Sequence, residues 1–171
     1  MSALPEEAGT LSADAYRRID RELAKFPPQQ KRSAVLPALV IAQDELGWLP
    51  SWAIEAVAQY LGMPPVAAYE VATFYAMFDL QPIGRFKLTL CTNLPCALSG
   101  ATRAAARLKE KLGIGFGETT ADRLFTLKEG ECMGACGDAP VALVNNKRMC
   151  SFLSDERLDE LLEELRREAG K

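Results

Sequence analysis

Two pairs of cysteines in a chain without histidine constrain this sequence more than any other feature. Cys91-Thr92-Asn93-Leu94-Pro95-Cys96 reads C-x4-C and Cys132-Met133-Gly134-Ala135-Cys136 reads C-x3-C, with thirty-five residues between the pairs. A fold in which they act together has to bring two distant loops to one place. The absence of histidine removes Ser/His/Asp triads, His-activated thiols, His-ligated zinc, the 2-His-1-carboxylate iron site and the Rieske-type cluster. Any chemistry on this chain is left to cysteines, to carboxylates or to none of its own residues.

Four thiolates converging from two loops form a Cys₄ set that either a [2Fe–2S] cluster or a structural zinc accepts. Structural zinc often takes C-x2-C knuckles, and neither pair has that spacing. The set also differs from the plant-type ferredoxin run, and a dithiol oxidoreductase would want C-x-x-C. The surroundings favour iron and sulfur over zinc. Cys96 is expected at the start of a helix, where free N–H groups stabilise a thiolate. Gly134 and Gly137 are expected to let backbone N–H groups approach the sulfurs. Glu129, Glu131 and Asp138 flank the second pair, and their charge predicts a low potential for a centre beside them, about −400 mV or somewhat above.

The rest of the chain reads as two parts. Up to Pro82 it is helical: Ser12 caps a helix carrying Tyr16, Ile19 and Leu23, which Pro27-Pro28 stops. A second helix spans about 29–46, either kinked at Pro37 or beginning near Ser33 with Pro37 in its first turn. Ser51 is placed to cap a third helix through Leu61, closed by Gly62. A fourth, opening at Pro64-Pro65 and carrying Val66, Tyr69, Val71, Phe74, Tyr75 and Phe78, is apolar on more than one face, as in a central helix or one covered by another chain. At Gln81-Pro82-Ile83-Gly84 the period changes, which puts a domain boundary between residues 82 and 83.

From Ile83 the pattern is mixed α and β. Phe86, Leu88 and Leu90 alternate with Lys87 and Thr89 as a strand running into Cys91. A helix from about Cys96 to Leu112 follows, then strands at 124–128, 141–144 and 148–152, the last two joined by a tight turn at Asn145-Asn146. Ser154 caps a final helix with Leu158, Leu161, Leu162 and Leu165 on one face. Cys150 reads as a small buried hydrophobe, the other meaning being a place near the cysteine pairs. Gly113-Ile114-Gly115-Phe116-Gly117 follows a helix instead of opening one, so it is a loop and not a nucleotide cradle.

Length and charge bound the function. A chain of 171 residues holds one domain or two small ones, with a core that needs no disulfide staples. Net charge of −3 argues against a nucleic-acid binder. No apolar run spans a bilayer, and MSALPEEAGTLSADAYRR lacks the regions of a signal peptide, so a cytoplasmic chain with reduced thiols is expected. Residues 85–112 carry six basic residues against Glu110, and 113–140 carry five acidic against Arg123 and Lys128. This reads as ordinary surface variation, with a docking surface as the alternative.

CTNLPC, the block LFTLKEGECMGACGDAPVALVNN and VATFYAMF before Pro82-Ile83-Gly84 together resemble one family, the small iron–sulfur subunit of respiratory NADH:quinone oxidoreductase, complex I. The resemblance covers nearly the whole chain. It implies an α+β protein: an N-terminal helical bundle over 1–82, then a thioredoxin-like α/β domain over 83–171 holding one [2Fe–2S] cluster. By match to the family motif Cys91, Cys96, Cys132 and Cys136 become its ligands, and Cys150 falls outside. The resemblance further implies an oxidoreductase component without an NADH site of its own. Its partner would be the flavoprotein subunit that binds FMN and NADH, with which the cluster exchanges single electrons, peripheral to the cytoplasmic face of the inner membrane. Two alternatives stay open: the equivalent diaphorase subunit of an NAD-reducing hydrogenase or NAD-dependent formate dehydrogenase, and, from another class, a Cys₄ zinc-stabilised binding module.

Overall fold

The computed structural model describes residues 9–170. The signal-peptide expectation rests partly on residues 1–8, which lie outside that range. The chain divides into two compact units, Met1–Pro82 and Ile83–Lys171.

Four helices make the first unit: α1 (Ala13–Leu23), α2 (Val35–Leu46), α3 (Ser51–Leu61) and α4 (Pro65–Phe74). Ser12 Oγ accepts from the Ala15 N–H at 3.1 Å, the cap expected of a serine before an apolar-periodic stretch. Helix α1 ends at Leu23, ahead of the prolines, and a 3-10 stretch over Pro28–Ala34 leads into α2. Pro37 therefore sits in the first turn of α2, where its missing N–H has no intrahelical partner to lose. Ile19, Leu39, Ile54, Val57 and Leu61 fill the core, and the buried alanines 38, 42, 58, 68 and 72 allow close helix approach.

Two expectations for this unit are corrected. Ser51 is the first residue of α3, and the cap position falls to Pro50, whose backbone is extended. Helix α4 stops at Phe74, so Phe78 lies beyond it. The Gln43 side-chain amide donates to the Met77 carbonyl at 3.0 Å and accepts from the Asp79 N–H at 2.7 Å, drawing 77–79 out of helical register while Phe78 stays buried. Along α4, Ala68 and Ala72 face the core, while Val66 and Phe74 are exposed, Phe74 by 79% and edge-on to Tyr75.

The second unit is a four-stranded mixed sheet with helices on one face. Its strands are β1 (Phe86–Cys91), β2 (Phe125–Gly130), β3 (Ala142–Val144) and β4 (Arg148–Cys150), ordered β2-β1-β3-β4. β1 pairs β2 in parallel and β3 antiparallel, and β3 pairs β4 antiparallel. Parallel neighbours need a crossover, and the helices α5 (Leu94–Leu98) and α6 (Ala101–Leu112) provide it. Helix α7 (Asp155–Ala169) begins on Ser154, whose Oγ accepts from Arg157 N–H at 3.3 Å. Phe86, Leu88, Leu90, Phe125 and Leu127 project into a core with Leu108 of α6 and Leu158, Leu162 and Leu165 of α7. Burying each such leucine is worth about 1.5–3 kcal/mol.

The helix expected over 96–112 is two helices. Gly100 takes a left-handed φ of +99° between them, which breaks the ladder and lets α6 run back over the sheet. Asn145 and Asn146 both adopt positive φ in the β3–β4 turn, as two asparagines can without the cost a bulkier side chain would meet. The basic run of 85–112 is spent within its own unit. Arg85 donates to the carbonyls of Glu168 and Ala169 at the end of α7, and Arg103, Arg107 and Lys111 reach Asp155 and Asp159.

Candidate metal centre

Parallel pairing of β1 and β2 aligns Cys91 with Gly130, so both strands end at one edge of the sheet. Cys91 is the last residue of β1 and Cys96 the third residue of α5. Cys132 lies two residues past β2, and Cys136 opens a 3-10 turn over Cys136–Asp138. From the third neighbour, the Val141 carbonyl accepts the Cys91 N–H at 3.0 Å. Loops at the carboxyl ends of parallel strands are where open sheets place their ligands, and here both cysteine pairs occupy that edge.

All five cysteines are free thiols. Cys91 and Cys96 are buried with Ala101 and Val141 in a small apolar cluster of their own, while Cys132 and Cys136 are exposed. Burial first, then a hydrogen bond and charge repulsion with Cys91, push the Cys96 thiol up; a backbone hydrogen bond at Val141 pulls the other way. The Cys136 thiol is raised chiefly by its hydrogen bond with Cys132, then by desolvation and by the charges of Cys132 and Cys91. Each pair is thus in contact internally, and each pair feels the other. Losing protons together would leave mutually repelling thiolates, a cost that a bound cation removes. Among the described residues no three Cys, Asp or Glu side chains close round a single ion. The arrangement is two adjacent thiol pairs, and a two-iron cluster asks for two protein ligands on each iron.

The backbone around the second pair is shaped for sulfur. Gly134 has φ +73°, a conformation costly for other residues, and its N–H points to Cys132 Sγ at 3.4 Å. Gly137 has neither a left-handed φ nor a crowded Cβ position, so its backbone lacks the feature that marks the approach to sulfur at Gly134. The helix-dipole argument for Cys96 also weakens, because α5 has five residues.

The three flanking carboxylates are engaged. Glu129 accepts from Thr92 Oγ1 at 2.8 Å, Glu131 from Asn93 Nδ2 at 2.9 Å, and Asp138 from Ser151 Oγ at 3.2 Å. Thr92, Asn93 and Val141 belong to the site's structure and escaped sequence reasoning. Adjacency to Cys91 was the one available signal for the first two, and only strand pairing brings in Val141. Cys150 sits on β4 in the main core of its unit, apart from the small cluster that holds Cys91 and Cys96. The glycine run 113–117 forms the loop after α6, with Gly113 as the left-handed cap.

The fold and this donor set define a small α+β protein that carries two thiol pairs at one edge of a mixed sheet. The chain belongs to the thioredoxin-like [2Fe-2S] ferredoxin family, whose model matches residues 19–166. Among curated proteins it is similar to the E subunit of the NADH-quinone oxidoreductase of Rickettsia felis, 47% identical over 143 residues, 83% of this chain and 85% of that protein. It is likewise similar to the E 2 subunit of the NADH-quinone oxidoreductase of Rhizobium meliloti, 48% identical over 148 residues, 86% of each. Among solved structures, a chain of an NAD+-reducing [NiFe]-hydrogenase in the H2-reduced state superposes with a TM-score of 0.68 at 26% identity. That match covers 77% of this chain and 22% of the hydrogenase chain.

Proposed function

We propose that this chain is the electron-carrying subunit of an NADH-quinone oxidoreductase, with Cys91, Cys96, Cys132 and Cys136 holding one [2Fe–2S] cluster. The observation that carries the proposal is the convergence of the two thiol pairs at the shared edge of β1 and β2, in a chain of this family. When bound, the cluster supplies a site that takes up and gives back one electron. The chain's own residues do the rest. Cys91 and Cys96, buried over Ala101 and Val141, close one side of the site to water, and exposed Cys132 and Cys136 leave the other side open to a redox partner. The Gly134 N–H donates to the Cys132 sulfur and spreads its negative charge, a lever on potential.

Hydride chemistry belongs, in this reading, to a flavoprotein subunit that binds FMN and NADH. Among the described residues no helix is long and apolar enough to cross a membrane, which fits attachment through partner subunits at the cytoplasmic face of the inner membrane. The hydrogenase likeness supports a second reading, the equivalent subunit of an NAD-reducing hydrogenase, but it covers only part of a longer chain. Greater identity over most of both chains favours the quinone-linked complex.

The test is to count iron, acid-labile sulfide and zinc on anaerobically purified protein and record its EPR spectrum after reduction with dithionite. About two irons and about two sulfides per chain, with the signal of a reduced two-iron centre, are expected. About one zinc per chain and no signal would leave the Cys₄ binding module instead.

A further inference from the structure

Thr92 and Asn93 directly follow Cys91, Glu131 directly precedes Cys132, and Glu129 lies near the end of β2. Thr92 Oγ1 donates to Glu129 Oε1 at 2.8 Å and Asn93 Nδ2 to Glu131 Oε2 at 2.9 Å, so both bonds cross from the loop of the first cysteine pair to the strand end and loop of the second. The backbone adds a third crossing, from the Thr92 N–H to the Gly130 carbonyl at 3.3 Å. Asn93 stands at the cap position of α5, yet its side chain makes no capping bond to that helix. A residue type that usually satisfies a helix N-terminus is turned across the site instead.

Gly130 has its own reason to be small. A Cβ there would meet Thr89 Cγ2 at 2.7 Å and the Leu90 carbonyl oxygen at 3.2 Å, so only glycine lets β2 end this close to β1. The two loops are therefore held together by side chains that do not include the thiols. The acceptors are carboxylates, which make stronger bonds than neutral oxygens and put two negative groups at the edge of the site.

We infer that Thr92–Glu129 and Asn93–Glu131 form a cross-loop staple that positions the two cysteine pairs relative to each other, and that its carboxylates at the same time hold the potential of the bound centre down. The inference rests on the reading of the four cysteines as cluster ligands. The two effects separate by substitution. Glu129→Gln with Glu131→Gln keeps an acceptor oxygen at each position and removes the charge. Thr92→Val with Asn93→Ala removes both donors and leaves the charges.

Wild-type protein and both double variants are purified anaerobically, and two quantities are measured: the rate of iron release to a chromogenic ferrous chelator and the midpoint potential by EPR-monitored titration. The donor-less variant is expected to release iron several-fold faster than wild type. The glutamine variant, whose weaker neutral acceptors still hold both bonds, is expected to release iron more slowly than the donor-less variant and to be reduced at a higher potential than wild type, a tenfold change in the one-electron equilibrium reading as about 59 mV. Unchanged iron release in the donor-less variant, release in the glutamine variant as fast as in the donor-less one, or an unmoved potential in the glutamine variant would each overturn the staple. Wild-type protein without iron and sulfide would overturn the cluster reading beneath it, which tells the two failures apart.

Discussion

Among single residues Cys150 separates packing from chemistry most cleanly. It is 9% exposed on β4, and burial pushes its thiol above the ordinary 9.0, with Arg148 and Arg157 pulling down and Glu164 pushing up. The unfolded chain sheds this proton first, at about pH 9, while the folded protein still holds it. The thiol's contribution to stability is therefore complete below that pH and lost as pH rises through the folded value. Cys150→Ala is expected to leave iron content unchanged and to cost about 1 kcal/mol near neutrality. In urea titrations that difference should shrink above about pH 9; a constant gap there, or loss of iron, would contradict the assignment. Gly134, by contrast, was legible as a special position from its place between two cysteines, though its left-handed φ and its bond to sulfur were not.

At the scale of elements, α6 and α7 are joined by a ladder that also accounts for the basic run. Arg107 forks onto both carboxylate oxygens of Asp159, Lys111 reaches the same carboxylate at 3.1 Å, and Arg103 reaches Asp155 at 3.3 Å. The Arg107 hydrogen bond holds the Asp159 carboxyl below its ordinary 3.8 and raises the guanidinium in turn. The stabilisation is present above the unfolded value and is lost as pH falls through the lower folded one. Asp159→Asn should lower the urea midpoint at neutral pH and low salt, and the gap to wild type should close as pH falls below the ordinary 3.8 and through the lower folded value, and narrow in about 1 M salt. Sequence reasoning saw six positive charges on one stretch and could not see that α7 brings their partners, because the pairs lie about fifty positions apart in the chain. The break at Gly100 was missed for a related reason. A glycine between two helical stretches with one apolar face reads as tolerated until the path of the chain requires a turn.

Over the whole molecule, the cores and the proposed cluster site are built separately. The helical core around Leu39 and Ile54 and the sheet core around Leu88 and Leu108 contain no candidate ligand, and Cys91 and Cys96 stand in their own small cluster. Stripping the metal with a chelator under reducing conditions is therefore expected to preserve far-UV circular dichroism and to raise amide exchange mainly over 91–96 and 130–138. Collapse of the helical signal would instead mark a zinc-type module whose folding depends on its metal. Periodicity, caps and the change of pattern after Pro82 made the helices, the strands and their order readable from the chain, since these depend on residues three to eight positions apart. Cysteine spacing and missing histidine likewise narrowed the candidate chemistry to cysteines and carboxylates, a matter of which atoms are available. Only the tertiary structure decided that β1 and β2 run parallel and end together, that Val141, Thr92 and Asn93 join the site, and that one thiol pair is buried and the other open. Those facts come from contacts between residues tens of positions apart, set by which faces bury against which.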